Sequence, residues 1–242
     1  MLCGIVGLTP LPAQEKTPPA PNKSTSPRIA VDAVRMLEEG KTQMGKNNPL
    51  YANAPAKLTA EERNSASLAA RGTFRSLVKL YPQFADGWLW LGIVLTESLH
   101  YSKEHPAGES NATAAEITEG IQAFQTAYQR NPTDLISVSY YGEALMTYRK
   151  DFAAACKLWE DYAAVASTDL QRMIADVQNA RACLNRAYFG KAENSLSDNE
   201  VKANYQHAED LIEKAAKLCP NAQDVKDMQA LLKQYRKTLM GK

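Results

Sequence analysis

A chain of 242 residues with 45% hydrophobic and 23% charged residues can fold as one domain or one continuous helical array, and is too short for two independent enzymatic domains. Lys and Arg number 28 against 27 Asp and Glu, a formal net charge of +1, so no global field favours nucleic acid or an anionic membrane surface. No apolar run reaches the roughly 18 residues of a transmembrane helix.

Residues 1–13, Met-Leu-Cys-Gly-Ile-Val-Gly-Leu-Thr-Pro-Leu-Pro-Ala, form an uncharged, mostly apolar run ending in Leu11-x-Ala13. The expectation is an export leader that lacks its basic start. Residues 14–27 carry Pro18, Pro19, Pro21 and Pro27 among Lys, Ser and Thr and read as an extended linker ahead of a helical domain over 28–242. Ser26 before Pro27 is a helix start with proline where its missing N–H costs nothing. Thr59 with Glu62, Thr113 with Glu116 and Ser197 with Glu200 have capping-box spacing, and Ser167-Thr168-Asp169 opens another helix. Pro82, Pro132 and Pro220 each end one. Strand signals are scarce. The fold class is therefore all-α, with about nine helices near 27–44, 59–81, 84–101, 113–130, 133–149, 151–166, 168–190, 198–218 and 222–240. The connections 45–58 and 102–112, rich in Asn, Pro, Gly and Ser, read as insertions on one rim.

Ala70, Phe74 and Pro82, followed by Trp88, Leu91 and Gly92, have the residue types and spacing of a helical-hairpin repeat. Small residues let two helices approach, an aromatic fills the gap between neighbouring hairpins, and proline closes the second helix. Phe124, Ala127, Pro132 and Gly142 repeat the arrangement, as do Ala208, Ala215 and Pro220 more loosely. The segment 70–92 resembles the tetratricopeptide signature, and the weaker likeness covers residues 65–220. The resemblance implies a right-handed superhelical stack of antiparallel helical hairpins, an α-solenoid closed by a C-terminal capping helix. The proline intervals depart from the repeat of about 34 residues, which implies an irregular array.

The same resemblance implies that the first helix of each hairpin lines a concave groove. By register the groove residues are Leu89, Trp90, Ile93 and Glu97 in one unit and Ser139, Tyr140, Glu143 and Met146 in the next. Apolar and aromatic groups there suit an amphipathic helix or extended peptide of a partner protein. The competing reading is that Trp90 and Tyr140 only pack against a neighbouring hairpin. Relatives that clamp a terminal carboxylate use Lys, Arg and Asn, where this chain has Leu89 and Ile93.

Motifs with catalytic overtones fail on context. Cys3-Gly4-Ile5-Val6-Gly7 resembles the opening of class II glutamine amidotransferases, but Leu2 intervenes and the β-rich body is missing. Gly40-Lys41-Thr42 lacks the upstream glycine of a phosphate loop and reads as a helix C-cap. His100, His105 and His207 make no ligand pair, and Cys156, Cys183 and Cys219 contain no CxxC. Buried core thiols are the ordinary reading of these cysteines, with a Cys156–Cys183 disulfide the alternative in an exported protein. The expectation is a non-enzymatic scaffold with no cofactor, metal or nucleic acid, exported to the periplasm or envelope if bacterial. A cytoplasmic chaperone or accessory subunit is the alternative, and an enzyme of another type would show ionisable groups with shifted pKa in a cleft.

Overall fold

The computed structural model describes residues 27–51 and 58–241. Nine α-helices lie among these residues: α1 (Pro27–Asn47), α2 (Ala60–Leu80), α3 (Ala85–Glu97), α4 (Ala114–Arg130), α5 (Leu135–Ala144), α6 (Phe152–Val165), α7 (Asp169–Ala192), α8 (Asp198–Leu218) and α9 (Gln223–Met240). Four of them start at full capping boxes. The hydroxyls of Thr59, Thr113, Thr168 and Ser197 accept from the backbone N–H three residues on, and Glu62, Glu116, Gln171 and Glu200 accept from the cap N–H in return. Asp134 and Asp151 cap α5 and α6 with their carboxylates. The helices α2, α4 and α8 end at Tyr81, Asn131 and Cys219, each the residue before a proline.

Helices consecutive in the chain pack on one another, most extensively α1 with α2, α3 with α4 and α7 with α8, and α1 also touches α3, α3 touches α5 and α7 touches α9. A recurring lock joins three of the consecutive pairs. A Cβ placed on Gly40 of α1 would lie 2.5 Å from the Phe74 ring of α2, and one on Gly92 of α3 would lie 2.4 Å from the Phe124 ring of α4. One on Gly142 of α5 would lie 2.8 Å from the Trp159 indole of α6. The close approach is what requires glycine there. Gly40 is therefore buried mid-helix, and α1 runs on to Asn47; the expected C-cap is corrected by the ring that occupies its face.

Two apolar clusters form the interior. Phe74, Leu77, Val94, Leu95 and Phe124 centre the one built mainly from α1–α4, and Trp159, Tyr162, Leu184 and Tyr205 centre the one built from α5–α9. None of the helices is long and apolar enough to cross a membrane.

The third helix is shorter than expected. It ends at Glu97, and Leu99–His100 (β1) pairs antiparallel with Glu109–Ser110 (β2) in a small hairpin. Two distant asparagines hold that backbone out of the helix. Asn47 Oδ1 accepts from the Leu99 N–H at 3.0 Å while its Nδ2 donates to the Leu99 carbonyl at 2.7 Å. Asn64 does the same for the N–H and carbonyl of Tyr101, both at 2.9 Å. The Tyr101 hydroxyl donates back to the Asn47 carbonyl at 2.8 Å. After α5 the chain continues as a π-helical turn, Leu145–Arg149, which Lys150 ends in the left-handed conformation at φ 52°. The expected leader (1–13) and all of the linker but Pro27 lie outside the described residues, as does part of the loop 45–58.

Candidate functional site

A cleft of about 530 Å³ opens between α3, α5 and α7, at the seam between the two apolar clusters. Pockets favour such seams, where two packed bodies meet without filling the space between them. Glu97 and Thr96 come from α3, and Ser139, Tyr140 and Glu143 from α5. The π turn adds Thr147 and Tyr148, and α7 adds Gln178 and Arg181. Phe124 and Trp159, the two rings locked against Gly92 and Gly142, reach it from α4 and α6.

The walls are organised by a few contacts. The Tyr140 ring stacks on Phe124 with centroids 5.4 Å apart. Tyr51 donates a short hydrogen bond to Glu97, and its hydroxyl oxygen lies 3.4 Å from that of Tyr140. Burial, then the hydrogen bond to Glu97, pushes the Tyr51 phenol well above its ordinary range. Burial also raises Tyr140 and Tyr148, which line the cleft, while Tyr51 backs it through its bond to Glu97. Across the cleft Arg181 pairs with Glu143, which also accepts from the Thr147 hydroxyl at 2.8 Å.

Three polar atoms of the lining have no partner among the described residues: the indole N–H of Trp159, the carbonyl oxygen of Gln178 and the Nε–H of Arg181. Trp159 itself is 1% exposed. Buried polar atoms are almost always paired. These three lie beneath the cleft surface, the Trp159 N–H against Gly142, so a ligand would meet them only after the lining shifts.

Of the residues read from the repeat register, Glu97, Ser139, Tyr140 and Glu143 line this cleft. Trp90 stands apart from it, half-buried between Phe74 and Tyr51 with the Lys41 ammonium 5.2 Å above its ring. Leu89, Ile93 and Met146 are 5%, 2% and 6% exposed and belong to the core, which corrects their place on the groove wall. For Leu89 and Ile93 the reason is that α3 touches α1, α2, α4 and α5, so beyond its first turn only a narrow stripe containing Trp90 and Glu97 is left partly open. Tyr51, Tyr148, Gln178 and Arg181 were not anticipated. The stripe Tyr140, Glu143, Thr147 has helical spacing and could have led to Tyr148, and Gln178 with Arg181 is the matching i, i+3 pair on α7.

Among the described residues no group of three His, Cys, Asp or Glu side chains is placed to hold a metal ion. No protein-family model matches the chain, and no curated protein is found to be similar to it.

Proposed function

We propose that this chain is a non-catalytic scaffold of the tetratricopeptide kind, a right-handed superhelical stack of hairpins, and that it binds an extended segment of a partner protein in the cleft between α3, α5 and α7. The observation that carries the reading is the cleft lined by Glu97, Tyr140, Glu143 and Tyr148, with unpaired buried atoms of Trp159, Gln178 and Arg181 beneath its surface. Once the lining shifts to admit a ligand, these two donors and one acceptor are the complement of a peptide backbone, whose carbonyls accept and whose N–H groups donate. A helical ligand satisfies its interior amides within itself and would leave the lining unpaired, so an extended segment is the better occupant. Tyr140 and Tyr148 offer aromatic surface to a side chain of that segment. Contacts between α1 and α3, α3 and α5, and α7 and α9 support the stacked arrangement, since they join first helices of successive hairpins.

The test is selection of peptides of about ten residues from a displayed library on the full chain, followed by anisotropy titration of the best binders. Replacing Gln178 with Leu keeps the side chain's bulk and removes its acceptor, and is expected to weaken binding about five- to tenfold. N-methylation of the peptide amide that meets Gln178 should cause a matching loss that is absent in the Gln178→Leu protein. Peptides that bind the variant and the original equally, or that gain affinity when stapled into a helix, would refute the reading.

A further inference from the structure

The sulfurs of Cys156 on α6 and Cys183 on α7 lie 3.1 Å apart. Both residues are buried, at 7% and 2% exposure, in the apolar cluster of α5–α9. Closing the gap to the covalent sulfur–sulfur distance of about 2.05 Å takes about 1 Å of movement, within the reach of side-chain rotation. Packing alone does not ask two thiols on adjacent helices to meet sulfur to sulfur, and among the described residues no third His, Cys, Asp or Glu is placed with them to hold a metal ion. Cys219, the C-cap of α8, is half-buried and has no sulfur neighbour among the described residues.

We propose that Cys156 and Cys183 are a disulfide site, oxidised by a small-molecule or protein disulfide while α6 and α7 fold together. In the first step a thiolate of the pair attacks the oxidant's disulfide, forming a mixed disulfide and releasing one thiolate. In the second the other cysteine, losing its proton, attacks the protein sulfur of the mixed disulfide and expels the second thiolate. Two protein thiols and one disulfide thus become one protein disulfide and two thiols. Cys156 is the better first nucleophile: the hydrogen bond from Cys183 and the nearby Arg186 guanidinium lower its pKa against the opposing effect of burial. Cys183 is held protonated by that same hydrogen bond and by burial.

The bond's position gives it a consequence beyond anchoring two helices. Cys156 lies one turn before Trp159, and Cys183 lies two residues after Arg181. A bridge between them ties together the two helices that carry the unpaired atoms of the cleft. The inference does not depend on what the cleft binds.

The test refolds the full chain from denaturant in a mixture of reduced and oxidised glutathione, traps remaining thiols with N-ethylmaleimide and digests it with trypsin without reduction. Residues 151–157 and 182–186 are expected as one linked species two mass units below their sum, with Cys219 alkylated on peptide 218–226. Cys156→Ser and Cys183→Ser should each abolish the linked species, and Cys219→Ser should leave it. Reduction of the refolded protein is expected to lower Tm by on the order of 10 °C, with no change in the Cys156→Ala/Cys183→Ala protein. Full alkylation of both cysteines after redox refolding, bridging through Cys219 instead, or equal melting of oxidised and reduced protein would overturn the proposal.

Discussion

The glycine locks make a sharp energetic prediction, because the chain contains its own control. A methyl added at Gly92 would lie 2.4, 2.5 and 2.9 Å from three atoms of the Phe124 ring, whereas one added at Gly72, exposed on α2, would meet nothing within 4 Å. Both glycines sit inside helices, so replacement by Ala gains the same helix propensity, about 1 kcal/mol. What differs is overpacking. Phe124 is 1% exposed and stacked on Tyr140, so the ring cannot swing aside and must retreat by about 1 Å to reach ordinary contact, at a cost of roughly 1–3 kcal/mol. Gly72→Ala should therefore stabilise the protein and Gly92→Ala should lie about 1–3 kcal/mol below it, a separation in Tm on the order of 5 °C. Urea unfolding followed by far-ultraviolet circular dichroism measures the difference. Adding Phe124→Leu to Gly92→Ala should recover part of the loss, since the smaller side chain vacates the space the methyl needs. Equal stability of the two alanine variants would refute the claim that close helix approach, and not chance, keeps glycine at position 92.

Burial raises the Glu116 carboxyl, but the Thr113 N–H, Arg71 and the Thr113 hydroxyl together outweigh it and hold the group below the usual carboxylate range. A depressed carboxylate contributes stability that is present above its unfolded pKa and lost as pH falls through its folded value. Glu116→Gln should thus cost about 2 kcal/mol near neutrality, and the gap from the original protein should close as the medium is acidified below the carboxylate range. A gap independent of pH in urea titrations would show that the charge is not what matters. Asn47 is fully buried and its amide meets the Leu99 N–H, the Leu99 carbonyl and the Arg63 carbonyl, so Asn47→Ala should destabilise by about 3 kcal/mol. Hydrogen exchange should localise the effect to Leu99, Tyr101 and the β1–β2 hairpin, and protection unchanged there would contradict the clamp.

Helix starts and ends were legible because they are local. Thr59 finds Glu62 three residues away, and Pro82 stops α2 by what it lacks. The end of α3 was not legible, since Leu99 and Tyr101 continue a helical apolar pattern and the residues that pull them into extended backbone, Asn47 and Asn64, lie 52 and 37 positions earlier. The same limit applied to the cleft. Glu97, Ser139, Tyr140 and Glu143 could be reached by repeat register, but the register could not tell that Leu89 and Ile93 turn inward against other helices. Nor could it tell that α7, far along the chain, supplies Gln178 and Arg181.

The cleft lies beside a change of winding in one helical stretch. The fifth helix runs without a break into the π turn, so Leu135–Arg149 is one helical stretch whose hydrogen-bond spacing changes at Leu145. The π turn that follows widens the backbone, turning Thr147 and Tyr148 toward the cleft, and Lys150 ends it in a conformation that non-glycine residues seldom adopt. The change of winding falls where the apolar interior divides into two clusters, with Ala144 in one and Leu145 in the other. Departures of this kind from regular packing persist where they serve a site. Here the π turn, the unpaired buried atoms and four of the eight residues read from the repeat register, Glu97, Ser139, Tyr140 and Glu143, fall in one place.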